Sequence, residues 1–274
     1  MPDDDAPLTG AELRDYLQSR DDFAFERRMF RHADGFRLEV HHAGLYEDST
    51  LGKQRQFDLR AVKRNGDHHI RLAIECKSLR SSYPLVVSCV PRPENEAYHE
   101  VMLERTEHGD RVQVRRLQSR LYAQGDPVGK AMRQVGRQKG KPTGGDDMFD
   151  KYQQAMASAA GLVDGAAQYH RVCKPRQEFT GILPLLVIPD GTLWVAKYST
   201  GGDFRLNPEA ADSIAFYLGR QYVVRSVSTV FTISQLHVMT ETAAVDLLRQ
   251  LGEPRPGGIW ELLFLGLGYS RRGT

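Results

Sequence analysis

The sequence has few of the features that mark secreted, zinc-binding or membrane-spanning proteins. Its 274 residues include only three cysteines, in no metal-binding spacing, so we expect neither a disulfide framework nor a zinc site. No run of about 18 apolar residues occurs, so no membrane partner is expected. The N-terminal MPDDDAPL is acidic and lacks the apolar core of a signal peptide. We therefore predict a soluble protein of the reducing cytoplasm.

Net charge is also small, at +2, but the basic residues are unevenly distributed. Nine Lys or Arg lie between residues 111 and 141 against one acid, Asp126, so this segment carries about +8. Such a segment attracts phosphate, although a solvated basic face has the same composition. Its few aromatics favour duplex DNA, held through phosphates, over stacked single strands. The candidate nucleic-acid-binding residues are Arg133, Arg137, Lys139 and Lys141, with Lys53 and Arg55 nearer the N-terminus.

Two helices are predicted before residue 36. Thr9 and Glu12 have capping-box spacing, so the first helix is expected to begin near residue 10. The second is expected to end at Gly35. Phe23, Glu26 and Phe30 recur at helical spacing in it, which predicts that Glu26 lies on a buried stripe.

Strand-like segments follow, and two of them bring charged residues together. RQFDLRAV and HHIRLAIECKSL alternate in polarity and are joined by NGD, a strong hairpin signal. A turn at Gly66-Asp67 would place Asp58 opposite Glu75, whereas a turn at Asn65-Gly66 would place it opposite residue 73. Side chains alternate with period two, so both registers leave Asp58, Glu75 and Lys77 on one face.

This group of charges suits a divalent cation. Two neighbouring carboxylates repel each other, and Mg²⁺ resolves the conflict with oxygen ligands from Asp58, Glu75 and the Cys76 carbonyl. Lys77 would orient the attacking water or stabilise charge on a phosphodiester. The pattern therefore predicts metal-dependent phosphodiester hydrolysis, with Mg²⁺ as cofactor and Mn²⁺ as a substitute. The alternative is a surface ion pair with no chemical role.

The motif QFDLRAV…LAIECKSL resembles the PD-(D/E)XK nuclease superfamily, which has an Asp on one strand and Glu-x-Lys on the next. The resemblance covers roughly residues 9–90, and Phe57 stands where the family name has Pro. It implies a restriction-endonuclease-like αβββαβ core in an α/β protein, with a mixed central sheet. It also implies a helical Glu in the site, for which Glu26 is the best match and Glu39, Glu47 and Asp48 are the alternatives. A Gln on the helix after the sheet would be Gln153 or Gln154.

By this resemblance the chain is expected to be a DNA endonuclease of defence, restriction or repair. A different class stays open: a nucleic-acid-binding or partner-activated effector module that keeps the fold without turnover on its own. The family resemblance also suggests a homodimer. DNA and RNA are not distinguished by any residue.

The nuclease core is expected to cover residues 1–174, and residues 175–274 to continue the same domain as an elaborated C-terminal half and a dimer or partner face. Residues 124–147 are rich in Gly, Gln and Lys with weak periodicity, which predicts a mobile basic segment. Further predictions are a helix near 149–170, a hairpin turning at Asp190-Gly191, and a helix capped by Thr240 or Thr242.

Overall fold

A computed structural model of the chain describes residues 7–20, 22–48, 52–105, 111–138, 141–144, 149–169, 178–204, 206–224 and 229–269. The chain is a mixed α/β protein with a large mixed central sheet and few helices. None of the helices within these residues is both long enough and apolar enough to cross a membrane.

Five α-helices lie in the described ranges. They are α1 (Gly10–Arg20), α2 (Asp22–Gly35), α3 (Phe149–Tyr169), α4 (Glu241–Gly252) and α5 (Ile259–Leu263). Both predicted N-terminal helices are confirmed. The capping box is present, because the Glu12 amide donates to Thr9 Oγ1 at 3.3 Å and Glu12 Oε2 accepts from the Thr9 amide at 2.7 Å. Thr240 is the N-cap of α4, and its Oγ1 accepts from the Ala243 amide at 3.4 Å.

The strands of the N-terminal half are β1 (Glu39–His42), β2 (Leu45–Asp48), β3 (Lys53–Gln56), β4 (Leu59–Asn65), β5 (His68–Cys76), β6 (Leu85–Pro91), β7 (Tyr98–Arg105), β8 (Arg111–Gln118), β9 (Pro127–Gln138) and β10 (Lys141–Gly144). Those of the C-terminal half are β11 (Glu178–Ile188), β12 (Leu193–Lys197), β13 (Glu209–Ala210), β14 (Ser213–Val224) and β15 (Thr229–Thr240). Strands β2 and β3 pair only with each other; the other strands form one mixed sheet.

The order of strands at one end of this sheet positions the candidate site. β1, β4 and β5 form an antiparallel meander, and β5 then pairs in parallel with β11, which pairs in parallel with β15. Helix α2 precedes the meander and α3 lies between β5 and β11 in sequence. The β4–β5 turn is at Gly66-Asp67, and Leu59 pairs with Ile74, so the first of the two predicted registers is correct. Gly66 supplies the positive φ, 60°, that this tight turn requires.

Two cores lie on opposite faces of the sheet, so β5 is buried along its whole length. On one face Ala73 packs with Ala155 and Met156 of α3. On the other, Ile74 and Cys76 pack in a second cluster. The second cluster includes residues of α2, α4 and α5, among them Phe25, Met29, Leu248 and Trp260. Helices on both faces explain why β5 reads as a nearly continuous apolar run.

The structure corrects three predictions made from local patterns. The buried face of α2 is formed by Phe25, Met29 and Ala33, while Phe23 is 57% exposed. The buried face is therefore rotated around the helix axis relative to the predicted one. In place of a mobile segment near 124–147, residues 127–138 and 141–144 form β9 and β10, because β9 pairs with β6 and β14.

The third correction concerns the predicted hairpin at Asp190-Gly191. The chain does turn there, with Gly191 at φ 72°. The flanking strands separate, however: β11 pairs with β5, β7 and β15, and β12 pairs with β6 and β13. A local turn signal does not identify the strand that a segment will pair with, because pairing is decided by distant segments.

Candidate active site

The C-terminal end of β5 is held by three successive backbone amides. The Cys76 amide donates to Asp58 Oδ2 at 2.8 Å, and the Lys77 amide donates to the Val187 carbonyl at 2.9 Å. The Ser78 amide donates to Asp22 Oδ1 at 2.6 Å. Carboxylates of two other elements thus fix the point where β5 ends, next to the side chains of the Glu-x-Lys triplet.

Asp58 is placed by a change of chain direction just before β4. The Asp58 carbonyl accepts from the Ala43 amide at 3.0 Å, and the Phe57 amide donates to the Gly44 carbonyl at 3.0 Å. The Phe57 ring covers Gly44 so closely that a Cβ there would lie 2.5 Å from the ring. Phe57 therefore packs this corner and is 5% exposed.

Glu75 is fully buried, at 0% exposure, on the face of β5 that contacts α3. Its charge acts on two neighbours. Burial, Glu75 and Asp48 together raise the pKa of Tyr46 to about 12. Burial lowers the pKa of Arg60 to about 10, and Tyr46 and Glu75 oppose that shift. Arg60 is therefore a cation in the electrostatic field of Glu75.

Arg60 connects β4 to α3. Its Nε donates to Ser158 Oγ at 3.1 Å and its Nη2 donates to the Ser158 carbonyl at 2.9 Å. The guanidinium carbon lies 4.5 Å from the ring centroid of Phe57 and 4.9 Å from that of Tyr46. Gly161 permits this approach, because a Cβ there would lie 2.6 Å from Nη2. These contacts fix a partly buried positive charge in the field of Glu75.

The α2 side of the site holds two more carboxylates, each with a basic partner. Glu26 Oε2 lies 3.0 Å from Nε2 of His42, and both side chains are about nine-tenths buried. His42 is thus a basic partner of Glu26 in the structure. Lys77 Nζ donates to Asp22 Oδ2 at 2.9 Å, and the Lys77 side chain is partly exposed.

Four acids surround Cys76, which is buried at 0% exposure. Burial raises the pKa of the Cys76 thiol well above its usual value, and nearby negative charges raise it further. In decreasing order of effect, those charges are Asp58, Glu26, Glu75 and Asp22. The strand end is therefore a point of concentrated negative potential, which attracts a cation.

The donor atoms suit Mg²⁺, although the side chains do not form a closed cage. One Asp58 oxygen receives the Cys76 amide, and the other has no hydrogen bond to any residue that the structure describes. Within the same residues, no three His, Cys, Asp or Glu side chains are grouped closely enough to hold a metal ion. Mg²⁺ keeps several waters and needs only one or two protein carboxylates, so Asp58, Glu75 and a backbone carbonyl are a sufficient set.

The predicted nucleic-acid-binding residues do not form one patch. Arg133 and Arg137 of β9 are exposed, lie on the same face, and make no ion pair within the described part of the chain. Arg133 is aligned through Val86 with Trp194, which is 37% exposed, so an aromatic ring shares this face. Lys141 pairs with Gln138 and projects from the other face.

The remaining members of that set lie elsewhere. Lys53 and Arg55 are on the β2–β3 hairpin, where Lys53 is exposed and Arg55 Nε binds Asp48 Oδ2 at 3.1 Å. Lys139 lies outside the described residues. Gln153, the auxiliary candidate of α3, accepts a hydrogen bond from Arg220 of β14.

Four side chains of the site were missed from the sequence: Asp22, His42, Tyr46 and Arg60. A usable signal existed for Arg60, since it lies two residues after Asp58 and hence on the same face. No sequence pattern connects Asp22 to Lys77, 55 positions away.

Comparison with protein-family models found no match to the chain, and neither did comparison with curated proteins or with solved structures. The functional assignment therefore depends on the arrangement of residues described above.

Proposed function

We propose that the chain is a metal-dependent nuclease with a PD-(D/E)XK-type site, and most specifically a DNA endonuclease. The observation that carries this proposal is the contact between the Asp58 carboxylate and the Cys76 amide, 2.8 Å long. It joins the Asp of one strand to the Glu-x-Lys triplet of the next. The β1–β4–β5–β11 order, with α2 before it and α3 within it, supports a restriction-endonuclease-like core.

Each side chain has a role in the proposed reaction. Asp58 and Glu75 would hold Mg²⁺ with the Cys76 carbonyl, and Glu26 would add negative charge from the α2 side. When bound, Mg²⁺ lowers the pKa of water and stabilises negative charge on the phosphodiester. Lys77 would hold the attacking water or a phosphate oxygen by its ammonium group.

Two neighbouring groups would keep these side chains in position. Asp22 holds the Lys77 ammonium at 2.9 Å, which keeps it at the strand end. Arg60, itself anchored to Ser158, offsets the buried charge of Glu75.

The substrate is proposed to be DNA. Arg133 and Arg137 offer two unpaired cations on one strand, about 13 Å apart at about 3.3 Å per residue. Charges at this spacing can contact phosphates of one backbone. Trp194 on the same face adds a surface on which an unpaired base can stack. Duplex with a frayed or single-stranded portion therefore fits this face better than uniform duplex.

Plasmid cleavage in Mg²⁺ tests the proposal. We expect Glu75→Gln and Lys77→Ala each to reduce cleavage by more than about 100-fold, because outer-shell changes alone cost 10–100-fold. Glu39→Gln is the matched control: this acid is half exposed on neighbouring β1 and pairs with Arg64, so its loss should leave cleavage unchanged. Equal cleavage by wild type and Glu75→Gln would refute the assignment.

A second function is favoured by the complete burial of Glu75. A carboxylate at 0% exposure is not open to a phosphate in this conformation, as expected of a module that only binds nucleic acid or of an effector opened by a partner. Retained DNA binding without cleavage, in the wild type and in Glu75→Gln alike, identifies the binding module. Cleavage that begins only after a partner protein is added identifies the effector.

A further inference from the structure

A second polar cluster lies apart from the acidic site, beside a cavity of about 560 Å³. Residues of β14, β15, α4 and α5 line it, together with Leu121, Tyr122 and Asp126 from the segment before β9. Cavities of this size commonly hold small ligands. None of the residues proposed for phosphodiester hydrolysis lines it, so it is independent of that function.

A buried cation, Arg92, lines the cavity. Arg92 is 3% exposed, and its Nη1 donates to Gln235 Oε1 at 2.8 Å. Among the residues that the structure describes, its Nε has no hydrogen-bond partner. Burial lowers the pKa of Arg92, and Tyr122, Glu96 and Asp126 offset only part of that effect.

No ion pair joins Arg92 to a carboxylate anywhere in the described ranges. An arginine stays charged in proteins, so this positive charge is removed from water and only partly compensated. A bound anion would supply the missing counter-charge.

A neutral donor pair stands beside this cation. The Tyr122 hydroxyl lies 2.6 Å from Nε2 of His237, and the Tyr122 side chain is 2% exposed. Burial raises the pKa of Tyr122, and burial together with Arg92 lowers the pKa of His237 to about 4. Both groups are therefore uncharged at neutral pH. A Tyr122 hydroxyl that donates to Nε2 leaves the ring hydrogen on Nδ1, where it can serve a ligand.

The rest of the lining is apolar apart from Asp126, Ser213, Asp246 and Gln250, and the charge of Asp126 acts on Arg92. Leu121, Met239 and Leu247 provide walls for a hydrocarbon body. Asp246 of the rim already binds Arg249 at 3.0 Å and Gln250 at 2.8 Å, so its charge is not directed at a ligand. A cation and a neutral donor at an apolar cavity are the elements of an organic-anion site.

We propose that this cavity binds a small organic anion, with its carboxylate or phosphate against Arg92 and His237 and its apolar body against Leu121, Met239 and Leu247. The charge selects an oxyanion over a neutral ligand of the same shape. The site would be a ligand-binding site of the chain, separate from the acidic cluster at the end of β5.

Calorimetric titration of the full chain with benzoate, phenyl phosphate and benzamide tests the site. The first two share an aryl body and an oxyanion, whereas benzamide is a neutral isostere of benzoate. We expect at least one anion to bind, and at least tenfold more tightly than benzamide. A preference between the two anions shows whether the site takes a carboxylate or a phosphate. Absence of binding by both, or equal binding of benzoate, phenyl phosphate and benzamide, overturns the proposal.

Two variants locate the bound anion. Arg92→Gln removes the cation and should weaken binding of the anion at least tenfold. Ala243→Phe, on the α4 wall, fills the cavity with Arg92 intact and should abolish binding of the anion and of benzamide. Thermal unfolding and circular dichroism identify a variant that has lost its fold. If Arg92→Gln does not fold, the Ala243→Phe variant and the comparison of benzoate with benzamide test the proposal instead. Undiminished anion binding by a folded Ala243→Phe places the ligand elsewhere and overturns the proposal.

Discussion

Two arginines with similar surroundings, Arg92, which is buried, and Arg60, which is partly buried, mark two regions of opposite character. Arg60 and Arg92 each lie against aromatic rings and each donate to a neutral oxygen, of Ser158 and of Gln235 respectively. Neither arginine is in ion-pair contact with a carboxylate of the described residues: Glu75, one of a group of acids, acts on the charge of Arg60, whereas Glu96 and Asp126 act on that of Arg92.

The comparison shows that an arginine can lie in a site that suits a cation and in a site that suits an anion. Around Cys76, four carboxylates outnumber the cations, so the region is suited to a metal ion and Arg60 tempers the repulsion. At the cavity, buried Arg92 and the neutral Tyr122–His237 pair offer a cation and a hydrogen-bond donor, which suit an anion. The groups around each arginine, rather than the arginine itself, distinguish the two sites.

The largest expected effect is on the stability of the fold, and it tests this comparison of the two arginines. Arg60→Gln removes two hydrogen bonds of a charged group to Ser158 and the cation in the field of buried Glu75, and should lower the free energy of unfolding by about 3 kcal/mol. Arg92→Gln loses a hydrogen bond but no ion pair, and should cost about 1 kcal/mol. Urea unfolding measures both.

The double variant Arg60→Gln/Glu75→Gln sharpens the result, because it removes both charges. It should recover most of the loss caused by Arg60→Gln alone. Equal losses for the two single arginine variants, or no recovery in the double variant, would show that Arg60 does not compensate Glu75.

The next effect concerns the position of Lys77. Asp22→Asn should weaken the ion pair to Lys77 Nζ and slow cleavage by about 10-fold or more, as loss of an orienting partner does. The effect should fall on kcat, with KM little changed. Asp246→Asn, at the rim of the cavity, is the control and should leave the rate unchanged. Steady-state kinetics on a short duplex separates the two constants.

A smaller effect is expected from pH. The pKa of His237 is lowered to about 4, so below about pH 6.5 the unfolded chain binds a proton that the folded chain does not. Stability should therefore fall as pH drops from about 6.5 towards 4, by at most about 1.4 kcal/mol per pH unit from this group.

Unfolding of His237→Gln measured across this range should show a shallower slope. His41→Gln, whose side chain is 64% exposed, should keep the wild-type slope. An unchanged slope in His237→Gln would contradict the neutral state of the Tyr122–His237 pair.

The smallest effect is a spectroscopic one. The chain has two tryptophans, Trp194 at 37% exposure and Trp260 at 1%. Metal-free titration with a partly single-stranded oligonucleotide should quench only the Trp194 emission, and Trp194→Phe should abolish the change. Arg133→Ala/Arg137→Ala should reduce the salt dependence of binding by about two phosphate contacts. A response that persists in Trp194→Phe would exclude this face.

Local signals predicted elements well and pairing partners less well. The helix at residue 10, the Gly66-Asp67 turn and the helix after Thr240 each depend on neighbouring residues, and each is present. The sequence of β9 predicts an irregular segment, because its Gly and Gln residues hide the alternation of apolar and polar side chains. Its pairing with β6 and β14 makes it a strand. Long-range pairing is not encoded within a window of ten residues.

The candidate site shows the same division. The sequence predicts that Asp58 and Glu75 lie close together, because both belong to one hairpin and strand side chains alternate between the two faces. It does not predict that Asp22, His42 and Tyr46 join them, because these residues come from a helix and two strands whose packing the hairpin does not determine. The burial of Glu75 by α3 likewise follows from packing between segments far apart in sequence.

Diffraction from crystals soaked in Mn²⁺ tests the central claim most directly. The account predicts an anomalous peak bound by Asp58 and Glu75 oxygens at about 2.1–2.2 Å, close to Mg²⁺ distances. The peak should be absent in Glu75→Gln and retained in Arg92→Gln. A fully occupied Mn²⁺ elsewhere in the wild type, with none between Asp58 and Glu75, would contradict the account.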